Sequence, residues 1–140
     1  MEGMNREDLN FYLQQVDSDA VFSLGQKIKW CAEVQIVQQP TEQTLMLPVA
    51  DPVNQGSFYG GEALVTSAIV RVNKSEGWAM VMDRQEGLAL NIAILDGAYA
   101  AGVEEKAIVF LAKKGKEIHE KNIKKVEKQV AATRVSFDLL

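Results

Sequence analysis

Residues 57–72 read SFYGGEALVTSAIVRV, and this stretch decides the fold. The Gly60-Gly61 pair is a turn signal. From Gly61 to Asn73 the chain is too apolar and too β-branched for anything but a buried strand. Glu62, Thr66 and Arg71 are embedded in it. A strand that buries apolar side chains on both faces has little room for charge, so Glu62 and Arg71 are expected at its ends or paired. They are nine residues apart. An odd separation puts them on opposite faces of a regular strand, so they do not pair with each other.

Moving outward, Lys74–Glu76 is a tight connection and Gly77–Met82 reads as the hairpin partner of the long strand. On the other side, Asp51–Gln55 with Gly56 is a loop. Before it, Glu33–Gln38 and Gln43–Val49 are two short strands, separated by a turn at Pro40-Thr41. Pro48 restricts the second to a sheet edge. The β region is flanked by helices. Leu9, Tyr12, Leu13 and Val16 recur at helical spacing in residues 5–16, with Asn5 placed to cap. Val21, Leu24, Ile28 and Cys31 mark one face of a second helix over 19–31, which Gly25 weakens slightly. Residues 88–101 are apolar nearly all round, as in a buried helix, and Gly102 ends it. Glu104–Ala132 is a long helix with a narrower stripe of Ile108, Leu111, Ile118, Ile123, Val126 and Val130. Such a stripe is half exposed in the monomer or packs on a partner, and a homodimer is allowed. Val135–Leu140 is a short apolar tail with strand character. The fold class is therefore α+β. An antiparallel sheet of hairpins occupies the middle of the chain, with two N-terminal and two C-terminal helices packed on it.

A chain of 140 residues with 47% hydrophobic and 24% charged content is globular. At this size folding removes roughly 68–70% of the unfolded surface, enough to dispense with disulfides and metals. The single cysteine, Cys31, excludes an intramolecular disulfide and reads as a small core residue. No apolar run reaches the roughly 18 residues of a membrane span, and Met1–Arg6 lacks a secretion signal, so a cytoplasmic, membrane-free location is expected. The net charge of −4 gives no reason for non-specific nucleic-acid binding. The charge is uneven, however. Lys113–Lys128 holds seven lysines against three glutamates, a local +4 that leaves −8 elsewhere. This is a solvated helix face with i, i+3 and i, i+4 Glu–Lys neighbours, or a dock for an acidic or phosphate-rich partner. No aromatics interleave with those lysines, which argues against single-strand binding.

No motif of known catalytic mechanics is present. Gly60-Gly61 precedes a strand, whereas a phosphate loop precedes a helix. His119, the only histidine, sits among Lys116, Glu117, Glu120 and Lys121 and is expected in solvent. One Cys and one His do not make a zinc site. The remaining candidates are charges stranded in apolar surroundings. Asp96 lies inside the most apolar helix and would cost several kcal/mol if unpaired, so it needs an arginine. Arg71 and Arg84 are the candidates. The resulting ion pair either ties sheet to helix or presents an arginine to an anion or a neighbouring subunit.

At these residues the chain resembles a family. Phe58-Tyr59, Gly61-Glu62-Ala63-Leu64-Val65-Thr66, Val70-Arg71-Val72, Gly77-Trp78, Val81, Arg84, Ala89 and Asp96 are similar to the G subunit of the bacterial carbon–phosphorus lyase core complex, PhnG. Pro40-Thr41 with Leu45-Met46, and Ala131-Ala132-Thr133-Arg134-Val135 with Phe137, extend the likeness over residues 20–137. The resemblance implies one PhnG-like domain over residues 1–140. It also implies a non-catalytic subunit of a transferase complex, ribose 1-methylphosphonate 5-triphosphate synthase, in which a phosphonate displaces adenine from MgATP. MgATP is then the substrate of the complex, with no cofactor held by this chain alone, and the partners are H-, I- and J-type subunits. Under this reading Arg71, Arg84, Thr133 and Arg134 contact a phosphate-bearing ligand or a partner. Thr66 belongs to the same set, and Glu62 and Asp96 orient it. Four positions depart from the family pattern: Ser67, Gln85, Leu88 and Leu90. Two other functions are compatible with the residues, an interaction module using the lysine-rich helix and a stand-alone nucleotide- or phosphate-binding enzyme.

Overall fold

A three-stranded antiparallel sheet with the order β1-β2-β3 organises the chain, and the 57–72 segment is its central strand. The coordinates are a computed structural model describing residues 4–50 and 57–138, with side-chain surroundings given for 4–46 and 62–131. The elements are α1 (Arg6–Leu13), α2 (Ser18–Cys31), β1 (Val34–Ala50), β2 (Ser57–Val72), β3 (Ser75–Met82), α3 (Glu86–Ala101) and α4 (Glu105–Asp138). The α+β class and the central antiparallel sheet are as the sequence predicts. The loop expected at Asp51–Gly56 lies outside the described residues.

Two short strands were expected where the protein has one. β1 runs through Pro40-Thr41 without turning, and its register against β2 shifts between Ile36 and Gln38 and again between Gln38 and Thr41. Proline survives there because β1 is an edge strand, and bulges release the ladder bonds that proline cannot make. Gly60-Gly61 is likewise strand, not turn. Leu47 pairs with Gly61 and Pro48 with Tyr59, which leaves Gly60 as the extra residue of a bulge. The β2–β3 hairpin closes through Asn73 and Lys74, with Val72 opposite Ser75. Asn73 takes φ 54°, a region Asn tolerates. Its N–H donates to Glu33 O (2.7 Å) and its side-chain oxygen accepts from Glu33 N (3.1 Å), fixing the start of β1.

One face of the sheet carries Ala68, Val70, Val72, Ala79 and Val81, and α3 packs on it. The continuous burial of 91–98 explains why this helix is apolar all round: the sheet covers one side and α2 the other. α3 lies flush on β3 because Gly77 and Gly97 meet there. A Cβ on Gly77 would run into Ala93 O and Gly97 N. Gly25 leaves room on α2 for the Asn91 side chain of α3, whose Oδ1 stands where a Cβ would go, so the residue that lowers helix propensity serves the packing. Gly102 ends α3 in the left-handed region at φ 78°, its N–H bonded to Tyr99 O.

α4 crosses α1 at Gly115, which packs on the Tyr12 backbone. Its 34 residues make it about 51 Å long. Helix continues to Asp138, so the strand character expected from Val135 is overridden by continuation of the turn, while 139–140 lie outside the described residues. Cys31, expected in the core, is exposed. The buried line on α2 runs Val21, Gly25, Ile28, and Cys31 falls to one side of it. His119 is half-buried rather than solvated, edge-on to Phe11 with centroids 4.8 Å apart.

Candidate functional site

The outer edge of β3 is where the chain concentrates its buried polar chemistry. The backbone groups of Glu76, Trp78 and Met80 point away from β2, and an edge left bare would invite pairing with another strand. α1 lies along this edge. It presents Arg6, Asn10 and Gln14, spaced i, i+4, i+8, which rise about 6 Å per step against about 6.6 Å for two strand residues. The match lets each side chain meet one carbonyl. Arg6 Nη2 donates to Glu76 O (2.6 Å), Asn10 Nδ2 to Trp78 O (2.6 Å) and Gln14 Nε2 to Met80 O (3.0 Å). Asn10 Oδ1 accepts from Met80 N (3.4 Å), and Asp96 Oδ2 accepts from Trp78 N (2.9 Å). A helix thus completes the sheet with side chains.

Asp96 needs an arginine, and it has one, but the partner is Arg6 and neither Arg71 nor Arg84. Arg6 Nε meets Oδ1 at 3.0 Å and Nη2 meets Oδ2 at 2.8 Å, a two-pronged geometry that suits guanidinium and carboxylate. The side chains are 48% and 4% exposed respectively. The hydrogen bonds that Arg6 donates to the Asp96 carboxylate push the Arg6 pKa further up, against the opposing effect of burial. Arg6, Glu7, Glu76, Trp78 and Asp96 line a shallow cleft of about 260 Å³ here. Sequence reasoning missed Arg6 because it lies 90 positions from Asp96. The available signal was the polar i, i+4, i+8 line on α1, which also reads as an ordinary wet face.

The other candidates do not gather into one site. Thr66 is fully buried on β2. Its hydroxyl donates to Asp83 O (2.6 Å) and accepts from Gln85 N (3.1 Å), pinning the β3–α3 connection. Gln85 N-caps α3 without a side-chain cap bond, so Thr66 serves the helix start from outside. Thr66→Val should therefore lower stability by about 1 kcal/mol, by removing the hydroxyl that bonds the Asp83 carbonyl and the Gln85 N–H; urea denaturation followed by circular dichroism measures it. Arg84 pairs with Glu42 on β1 at 2.7 Å, at the surface. Glu62 and Arg71 are exposed, and among the described residues no ion pair reaches either. Glu62 is not at a strand end, because β2 begins earlier than expected. Arg71 stands opposite Glu76 and Gln35, about 17 Å along the strand from Thr66. Thr133 and Arg134 fall on α4, but their side chains lie outside the described residues. Of the departing positions, Ser67 and Leu88 are buried and Leu90 is half-buried, while Gln85 is exposed.

The surface elsewhere is apolar in unusual places. Trp30 is 89% exposed, and Phe110 is exposed with Lys114 Nζ 4.6 Å from its ring centroid. Beyond His119 the described part of α4 is solvent-exposed on every side. Among the described residues no ion pair within 4.0 Å joins its lysines to its glutamates. Among the described residues no three His, Cys, Asp or Glu side chains group as metal ligands, and no helix is long and apolar enough to cross a membrane.

The family model described as phosphonate metabolism protein PhnG aligns with residues 4–140. No curated protein matches the chain.

Proposed function

The chain belongs to the PhnG family of phosphonate metabolism proteins, and from that membership we propose that it is an accessory subunit of the carbon–phosphorus lyase system. It acts within ribose 1-methylphosphonate 5-triphosphate synthase, where a phosphonate displaces adenine from MgATP. Its contribution is assembly with H-, I- and J-type subunits, and MgATP is substrate of the complex.

The observation that carries this reading is the distribution of apolar and polar groups. Three interior polar side chains are committed to internal partners, Asp96 to Arg6 and Trp78 N, Thr66 to the β3–α3 connection and Asn10 to the β3 edge, while the buried Asn91 Oδ1 is left without one among the described residues. The apolar groups that face outward are large, with Trp30 at 89% and Val126 at 57% exposed. Exposed tryptophan is the residue type that most often anchors a protein interface. A molecule built this way contributes surface.

The test is adenine release from MgATP and methylphosphonate. The isolated chain should release none, and mixing it with its I-type partner should raise the partner's rate. Turnover by the isolated chain overturns the reading, as does a partner whose rate is unchanged by saturating amounts of this chain.

A further inference from the structure

We propose that the distal half of α4 is a docking seam for an amphipathic helix of a different protein, one that carries lysine or arginine beside its apolar stripe. This deepens the assembly role above and rests on it.

The stripe begins inside the molecule. Ile108 and Ala112 are fully buried in the core, and His119 packs on Phe11 and Tyr12 of α1. The same face continues as Ile123, Val126 and Val130, which are 44%, 57% and 51% exposed. The steps from His119 onward are 4, 3 and 4 residues, the alternation of a heptad seam, which accepts a helix by knobs into holes. α1 stops at Leu13, so it covers the seam only as far as His119. Where it stops, a groove of about 410 Å³ opens, lined by Gln15, His119, Asn122, Ile123, Val126 and Glu127. An incoming helix would continue the line of α1.

Charge decides which helix. The seven lysines of 113–128 do not flank the exposed seam; Lys121, Lys124, Lys125 and Lys128 lie on the outer and opposite faces. The flank on one side is Glu120 and Glu127, and on the other the amides of Asn122 and Gln129. The seam is therefore acidic-edged on the back of a basic helix. A second copy fits poorly. Laid antiparallel, it would set Glu120 and Glu127 against the copy's own Glu120 and Glu127. Laid parallel, its α1 would meet the first copy's α1, since both cover the same face of α4. A basic-flanked partner helix meets neither obstacle.

Two labelled synthetic helical peptides, identical in leucine and isoleucine core positions, test this by fluorescence anisotropy with the full chain. One carries lysine at the flanking positions and the other glutamate. The lysine peptide should bind at least tenfold more tightly. Val126→Asp, at an exposed position, should abolish binding with the circular dichroism unchanged, and Glu127→Lys should erase or reverse the preference. Equal affinity for the two peptides, or binding of neither, overturns the inference. A chain that sediments as a dimer, with Val126→Asp a monomer, overturns it in favour of a second copy. The adenine-release assay separates the two levels. If Val126→Asp still stimulates the I-type partner fully, the seam assignment fails and the accessory role stands. If the unaltered chain gives no stimulation, the accessory role itself fails.

Discussion

Replacing Arg6 with methionine is expected to cost the protein about 3 kcal/mol of stability, the lower end of the range for removing one partner of a buried ion pair, because Asp96 is buried while Arg6 is half exposed. The loss is mainly the cost of what stays behind. Asp96 is 4% exposed, and without Arg6 its carboxylate keeps, among the described residues, the Trp78 N–H alone. The Glu76 carbonyl loses a donor in the same step. Methionine retains much of the side-chain stem, so packing contributes little to the difference. The contrast with the other arginines makes the result diagnostic. Arg84→Ala removes a surface pair with Glu42 and should cost less than about 1 kcal/mol. Arg71→Ala removes an exposed side chain and should fall within about 0.5 kcal/mol of zero. Guanidinium denaturation of the three variants under one set of conditions ranks them. If Arg84→Ala or Arg71→Ala proves as damaging as Arg6→Met, the assignment of Asp96 to Arg6 is wrong. The Arg6→Met/Asp96→Asn double variant should show coupling, because the two groups share one network.

What the sequence made legible follows from how local each cause is. α3 was readable because its apolar residues follow one another without a break, and Gly102 marks its end by a local backbone requirement. The demand of Asp96 for an arginine was readable too, since the cost of an unpaired buried carboxylate does not depend on the fold. Which arginine answers depends on α1 lying along β3, a contact between the first element and the fifth. The sealed edge was hidden for the same reason. Arg6, Asn10 and Gln14 have the spacing of any wet helix face, and only the neighbouring strand turns that spacing into a ladder. β1 was misread because Pro40 ends most strands. Its tolerance comes from an edge position and bulges, which are properties of the sheet. Gly60-Gly61 has the chemistry of a turn and is used for a bulge, where the same permissive backbone is needed. Thr66 carried no sequence signal beyond lying in a strand, since its hydroxyl answers to the Asp83–Gln85 corner that follows the next strand.

Gly77→Ala is the second substitution expected to act strongly, at about 3 kcal/mol, the upper part of the usual range for overpacking. Most added methyl groups push on flexible side chains that can move. Here the atoms in the way are Ala93 O, Gly97 N and Gly97 Cα, all backbone of α3. Relief requires α3 to lift from the sheet, and α3 bears much of the core on its other faces. The displacement would also reach the ion pair, because Asp96 is the residue before Gly97 and bonds to the N–H of Trp78, the residue after Gly77. One methyl group thus opposes both the packing of α3 and the carboxylate at the β3 edge. Gly102→Ala is the control. Nothing lies within 4 Å of a Cβ there, and only the positive φ of 78° opposes it, a cost of about 1–2 kcal/mol. Amide exchange distinguishes the mechanisms. Gly77→Ala should lower protection at Trp78 N together with the α3 amides, whereas Gly102→Ala should loosen the end of α3 alone. A Gly77→Ala protein as stable as the unaltered chain would mean that α3 does not sit flush on β3, and the Asp96–Trp78 contact would lose its support.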